Sequence, residues 1–597
     1  MAVTLKILKL IFKWLAAIII VLLTILFVIQ VVIIVHFDKI VENTLKETVR
    51  SSTNDLYAID FDKLSLNIFT GSIKAKNIYL TPDTTLYNRL KDMEIAPAML
   101  YSIYVPEFKI SLINIYSAYF DRQLEVRKIY LREPVVSLLN EPLNQKEKSK
   151  KENPLDLYPL ISSVFKKAEA KEIEIEGGKF ELKKIKNDAI FQYNLSDLSI
   201  HFHNVIIDST AFLDSANFFY SEDIRVDLVN HTIKLPDSLY VLKIGKTSLL
   251  TKNSKIHIQN LSLIPLHKKY AFAHINGKQT DRLTINVKDI QCLKVDLREL
   301  LDKQEIISEE IVVNNVDIKA FRDKRVPFDK SRRPKMPQEV IKELEFKLKV
   351  LNLRIRNLNV AYEEVPESGG DPGKVTFKRI FARITDINND STAIKNGQTI
   401  WITAQGYLMG KGLIKAKFKV PLNSPNGAYY YSGTLGAMDF SEMNPMVEPV
   451  AYIEIKQGKI RKMEFDVAAD NDRARGTLKF YYNDLKIELL DKESGSAGLK
   501  EKVGSFIANN FIVISDNPGK EGFRTGDIDF HRDKSRFIFN YWWKSILSGI
   551  KPSIGITEER QNSLEQFRDK LKQRKKKKQE RKEQREQKDL AKKQKGT

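Results

Sequence analysis

Apolar and polar residues alternate with a period of two along most of this chain. In 413–420, LIKAKFKV, Ile414, Ala416, Phe418 and Val420 fall on one side of an extended backbone, and Lys415, Lys417 and Lys419 on the other. Near the start, Leu64, Leu66 and Ile68 alternate with Lys63, Ser65 and Asn67. Gly71 and Ser72 interrupt the run before Ile73 and Ala75 resume it, which predicts a hairpin. The same grammar recurs at 124–140, 171–182, 197–207, 255–266, 283–297, 351–362, 459–467 and 476–490, with Gly, Asn, Asp and Pro between many of the runs. It predicts a mostly β protein, an antiparallel sheet with one dry face and one wet face. Alternation alone puts Leu64, Leu66, Ile68, Ile173, Ile175, Phe180, Leu353, Ile355, Phe418, Val420, Phe465 and Val467 on the dry face.

Helical periodicity is rare. Segments 155–170 and 337–346 each open after a proline and lead into a strand, and both predict short helices. A repeat is visible at an offset of about 180 residues. Ile173, Ile175, Phe180 and Leu182 correspond to Leu353, Ile355, Val360 and Tyr362, and Leu198, Ile200 and Phe202 to Ile380, Ala382 and Ile384. Candidate repeat units lie near 124–208 and 308–390.

One run breaks the alternation. Residues 14–35 carry no charge, and only Thr24 and Gln30 are polar, which at about 1.5 Å per residue is enough to cross a hydrocarbon core of about 30 Å. A cleaved signal peptide has a shorter apolar core and a small-residue cleavage site, so a retained anchor is the expectation. Lys6, Lys9 and Lys13 precede the run, which places a cytoplasmic N-terminus at 1–13 and exports the rest. Residues 36–55 read as a stalk and 56–540 as the sheet. At 541–556, Trp542, Trp543, Ile546 and Leu547 would form an apolar stripe on a helix, the pattern of a membrane-interface segment.

Charge changes the picture little. The net charge is +21, but the tail at 557–597 holds sixteen Lys and Arg against eight Asp and Glu, and it reads as a solvated basic tail. An exported address argues against nucleic acid and leaves phospholipid headgroups as the partner for that charge. The single cysteine, Cys292, excludes an intramolecular disulfide. No catalytic motif emerges, and no metal or cofactor is expected. The glycine-rich stretch 406–412 lacks the Lys-Ser/Thr ending of a phosphate loop, and His201 and His203 share a strand face without a third ligand at motif spacing.

A one-pass anchor followed by GSIKAKNIYLTPD and by repeated hairpins ending in IKQGKIRKMEFDVAADNDRARGTLKFYYNDLKIELL resembles the AsmA-like family, the superfamily that includes TamB and YhdP relatives and is similar to bridge-like lipid-transfer proteins. The resemblance rests on layout and strand style over most of the chain, and the basic tail departs from it. It implies an elongated, curved, repeating β-groove whose apolar side carries phospholipid acyl chains. The expected protein is held in the inner membrane by its N-terminal helix, with its bulk in the periplasm, and moves lipid toward the outer membrane, with an outer-membrane or envelope protein as a further partner. It is not expected to be an enzyme. The competing expectation is a structural or assembly factor for outer-membrane proteins whose dry face is shut inside a closed β-sandwich.

Overall fold

A computed structural model describes residues 46–47, 49–67, 70–97, 99–114, 116–140, 158, 162, 165–186, 189–210, 218–235, 239–490 and 513–556. The expected anchor at 14–35 and the basic tail at 557–597 lie outside the described residues. No helix among the described residues is long and apolar enough to cross a membrane. The chain is mostly β, with a few short helices. It divides into two compact units, Met1–Thr232 with Lys243–Asn260 and Gln291–Ile306, and Ile233–Leu242 with Leu261–Ile290 and Ile307–Thr597.

In the first unit, β1 (Tyr57–Asp60) and β2 (Lys63–Asn67) both pair with β3 (Ser72–Pro82), and Leu64 sits opposite Ala75 and Leu66 opposite Ile73 as a hairpin requires. A short helix α1 (Thr84–Asp92) follows, capped by the Asp83 carboxylate, which accepts from the Thr85 and Leu86 N–H groups. Strand β4 (Met99–Ile113) pairs along one half with β5 (Gln123–Arg132) and along the other with β6 (Val135–Asn140). β5 and β6 are two pieces of one line, broken where Glu133 takes φ 46° and Pro134 lacks an N–H.

Both pieces run parallel to β7 (Lys167–Lys186), so the expected all-antiparallel sheet is corrected to a mixed one. Parallel neighbours need a connection of about a dozen residues or more, which the stretch from 141 to 166 supplies. The predicted helix at 155–170 is also corrected at its end, since Lys167 to Ala170 are already strand. β8 (Ala189–Ile207) and β9 (Ser221–Lys234) continue the sheet antiparallel. The apolar face of this unit is shut. Ile73, Ile110, Ile129, Ile173, Phe202 and Ile224 follow one another across the paired strands, and every one is buried.

Strands β10 (Tyr240–Leu250), β11 (Lys255–Pro265) and β12 (Arg282–Val295) contribute residues to both units, and helix α2 (Ala271–Ile275) lies between β11 and β12 in sequence. The second unit continues with β13 (Ile306–Asp323), whose Glu310 and Asn315 side chains meet Arg354 and Asn357 of β14 (Leu348–Val365). Between them α3 (Pro337–Lys342) begins as predicted, with proline at its first turn, but ends four residues early.

From β14 the chain is an antiparallel meander. β15 (Gly373–Asn388), helix α4 (Ser391–Lys395), β16 (Thr399–Leu408), β17 (Gly412–Pro421), β18 (Tyr429–Leu435), the two-residue β19 (Met438–Asp439), helix α5 (Asn444–Ala451), β20 (Ile453–Ala469), β21 (Arg473–Leu489) and β22 (Thr525–His531) follow in order, and α6 (Ile538–Ser553) closes the described chain. Each of β14 to β18 pairs with the next, then β18 and β19 with β20, β20 with β21, and β21 with β22.

The sequence repeat has a structural counterpart. In β7–β8, Ile173 opposes Phe202, Ile175 opposes Ile200 and Phe180 opposes Leu195. In β14–β15, Leu353 opposes Ile384, Ile355 opposes Ala382 and Val360 opposes Phe377, with register shifts at the same two places. Both strands of each hairpin bulge at a residue of positive φ, Gly177 and Asp197 in one, Asn357 and Arg379 in the other. Glycine, asparagine and aspartate are the residues that tolerate that conformation best.

Candidate functional site

Residues directly opposed in an antiparallel ladder share a face, so the registers of β14 to β22 can be read as rows running across the sheet. One row is Leu353, Ile384, Ile402, Phe418, Tyr431, Val467, Gly476 and Ile528. The next is Ile355, Ala382, Ala404, Ala416, Gly433, Phe465, Leu478 and Gly526. A third runs through Ile414, Leu435, Met463 and Phe480. We call this the inner face. The second row is small at Ala382, Ala404, Ala416 and Gly433, with Ile384, Ile402, Phe418 and Tyr431 on one side and Ile414 and Leu435 on the other. In the third row Gly406 is small but Ile380 occupies its side-chain space, so the face carries a furrow across β15 to β17 that ends at β18. Same-face neighbours along a strand are about 7 Å apart, which sets the flanking rows about 13 Å from each other, and four steps of about 4.8 Å make the row from β14 to β18 about 19 Å long.

Its two ends differ. Over β20 to β22 the inner face is covered by α6. The Gly549 backbone comes so close to the sheet that a Cβ there would meet Ile528 at 2.7 Å and Leu478 at 3.0 Å. Ser545 hydrogen-bonds Tyr431, Trp542 Nε1 donates to the Tyr429 hydroxyl at 3.1 Å, and the Trp542 ring stands 4.9 Å from that of Phe418. The Phe465 ring fills the place where a side chain at Gly433 would sit. Burial pushes the Tyr431 hydroxyl up to about 12, and Ser545 offsets part of that rise.

Over β14 to β17 the cover stops. Leu353, Ile355, Ala382, Ile384, Ile402, Ala404, Ile414, Ala416 and Phe418 are all partly exposed. Near one strand end α5 lies on the inner face, with Val450 and Met446 against Gly373. At the other end Ile341 of α3 packs with Val350, Ile387, Ile400 and Leu422, and Gln338 donates to the Gly427 carbonyl at 3.1 Å. What remains is a half-open apolar patch bounded by two short helices and by Trp542.

Neither a family model nor any curated protein matches this chain. The reading of the site therefore stands on its geometry.

The residues assigned to a groove from alternation divide into groups. Leu64, Leu353, Ile355, Phe418, Val420 and Phe465 are half-buried. Ile173, Ile175 and Phe180 are 3, 4 and 3% exposed, and Val467 is 1% exposed. Leu66 is in a strand whose side chain is not described, and Ile68 lies outside the described residues. Of the stripe assigned to a membrane surface, Ile546 is buried, Trp542 and Leu547 are half-buried, and Trp543 is exposed. Tyr541, Ser545 and Gly549 complete the buried side of α6. The small-residue row was missed, because alanine and glycine give a weak periodic signal and become a furrow only when the register aligns them.

His201 lies 3.5 Å from Glu174, which also pairs with Lys128. Burial raises the Glu174 carboxyl, but the Lys128 ammonium outweighs it and leaves the group below its ordinary range. Among the described residues no group of His, Cys, Asp and Glu could hold a metal ion.

Proposed function

We propose that the half-open inner face of β14 to β17 holds the acyl chains of phospholipid, in a protein that carries lipid between membranes while tethered by residues 14–35. The partly exposed furrow supports this reading. A contiguous apolar surface left uncovered costs free energy in water, and each methylene laid on it recovers about 0.8 kcal/mol. Apolar contact without hydrogen-bonding groups fixes no position along the row, so a chain can slide. The resemblance to the AsmA-like family points the same way, as does the address it implies, an inner-membrane anchor with the bulk in the periplasm and transfer toward the outer membrane, where an envelope protein would receive the lipid. The role is carriage, not catalysis.

A closed-core assembly factor is the second reading, and the buried face of the first unit favours it. Purifying the whole chain in mild detergent and extracting bound lipid separates the two. Stoichiometric phospholipid that is lost in Ile355→Asp and in Ala416→Trp supports carriage, and a folded lipid-free protein argues for the closed core. Ala416→Trp fills the furrow without adding charge, so its loss of lipid cannot be ascribed to a buried carboxylate.

A further inference from the structure

The opposite, outer face of the same strands has its own pattern. Rows across it read Phe381, Gln405, Lys415 and Thr434, then Arg383, Thr403, Lys417 and Ser432, then Thr385, Trp401, Lys419 and Tyr430. No carboxylate occurs in these rows until β20, where Glu464 and Asp466 oppose Thr434 and Ser432. Between Lys374 and Pro421 the chain has nine Lys and Arg against two Asp. The excess attributed to the tail therefore has a second, ordered source. Phe381 and Trp401 are each 48% exposed and Tyr430 53%, large rings on a face that alternation reserves for polar groups. Lys419 stands 5.4 Å over the Trp401 ring and Arg379 4.2 Å over that of Tyr407.

We propose that this outer face of β15 to β18 docks on an anionic phospholipid bilayer. Tryptophan and tyrosine prefer the headgroup layer, where the ring is sheltered and its polar edge stays wet, and each nearby lysine or arginine adds about 1 kcal/mol of attraction to an anionic surface. Single-stranded nucleic acid also selects basic and aromatic surfaces, but it stacks its bases on bare rings. Here the faces of Trp401 and Tyr407 already carry cations, an arrangement that presents positive charge beside a ring at the depth of lipid phosphates. The proposal does not depend on what the inner face holds.

The whole chain, kept in nanodiscs of zwitterionic lipid, is mixed with phosphatidylcholine vesicles with or without phosphatidylglycerol, and co-flotation is read. The parent protein is expected to float with the anionic vesicles and not with the neutral ones. The triple variant Lys415→Glu, Lys417→Glu, Lys419→Glu should bind at least about a hundredfold more weakly. Lys→Gln at the same three positions and Trp401→Ala should each lower binding by a smaller factor, with unchanged far-UV circular dichroism, so that loss of binding is not loss of fold. Equal flotation of parent and triple variant, equal binding to neutral vesicles, or retention of oligothymidylate by this face while anionic vesicles are ignored would each overturn the proposal.

Discussion

Single residues in this protein are governed by what burial does to them. Cys292 is the one thiol, and burial pushes its pKa up to about 11, so almost none is thiolate at neutral pH. Disulfide-exchange reagents at pH 8 are expected to label it slowly in the native protein and fast in urea; rapid native labelling would mean the strand is open there. Asp323 has an inaccessible side chain paired with Arg325. Burial drives its carboxyl up, yet the Arg325 side chain and backbone N–H outweigh that and hold it below the ordinary carboxylate range. A depressed folded pKa contributes stability that is complete above the unfolded value of about 3.9 and is lost as the pH falls through the folded one. Acid titration of Asp323→Asn should show a lower plateau near neutrality and a shallower loss below pH 4 than the parent.

At the scale of elements, the same hairpin occurs in two surroundings. β7–β8 and β14–β15 share register and bulges, but Ile175 is buried and its counterpart Ile355 is half-exposed. Ile175→Ala should cost about 2–5 kcal/mol in urea unfolding and leave any co-purified lipid in place, while Ile355→Ala should cost less stability and lose lipid. The reverse ranking would show that the second hairpin is also core. Alternation could place both isoleucines on a dry face, and it did. It could not say which dry face is covered, since coverage comes from α6 and other segments far away in sequence. The tryptophan stripe shows the same limit. Trp542 reads as membrane-facing from periodicity, and its partners Tyr429 and Phe418 lie more than a hundred residues earlier. The close approach of α6 rests on glycines, for a Cβ at Gly526 would overlap the Gly549 carbonyl oxygen. Gly526→Ala should therefore lower the urea midpoint by the equivalent of about 1–3 kcal/mol, whereas Gly436→Ala, where a Cβ would meet nothing nearer than the Leu413 carbonyl oxygen at 3.5 Å, should be nearly neutral.

Across the whole molecule, two compact units carry separate reporters. In a Trp14→Phe background the remaining tryptophans, Trp401, Trp542 and Trp543, belong to the second unit, and Cys292 to the first. Where each unit has its own core, tryptophan fluorescence and thiol exposure in urea are expected to give different midpoints, and a single shared midpoint would show that the units unfold together. The sequence by itself determined the strands, their two faces, the hairpin at Leu66 and Ile73, and the repeated pair of hairpins, because alternation and turn residues act over a few neighbours. Tertiary structure alone decided that β5 and β6 run parallel to β7, that four small residues line up into a furrow, and that one apolar face is shut while another stays half open. Those outcomes depend on register and on which distant segment comes to rest on a face, and a periodicity of two contains neither.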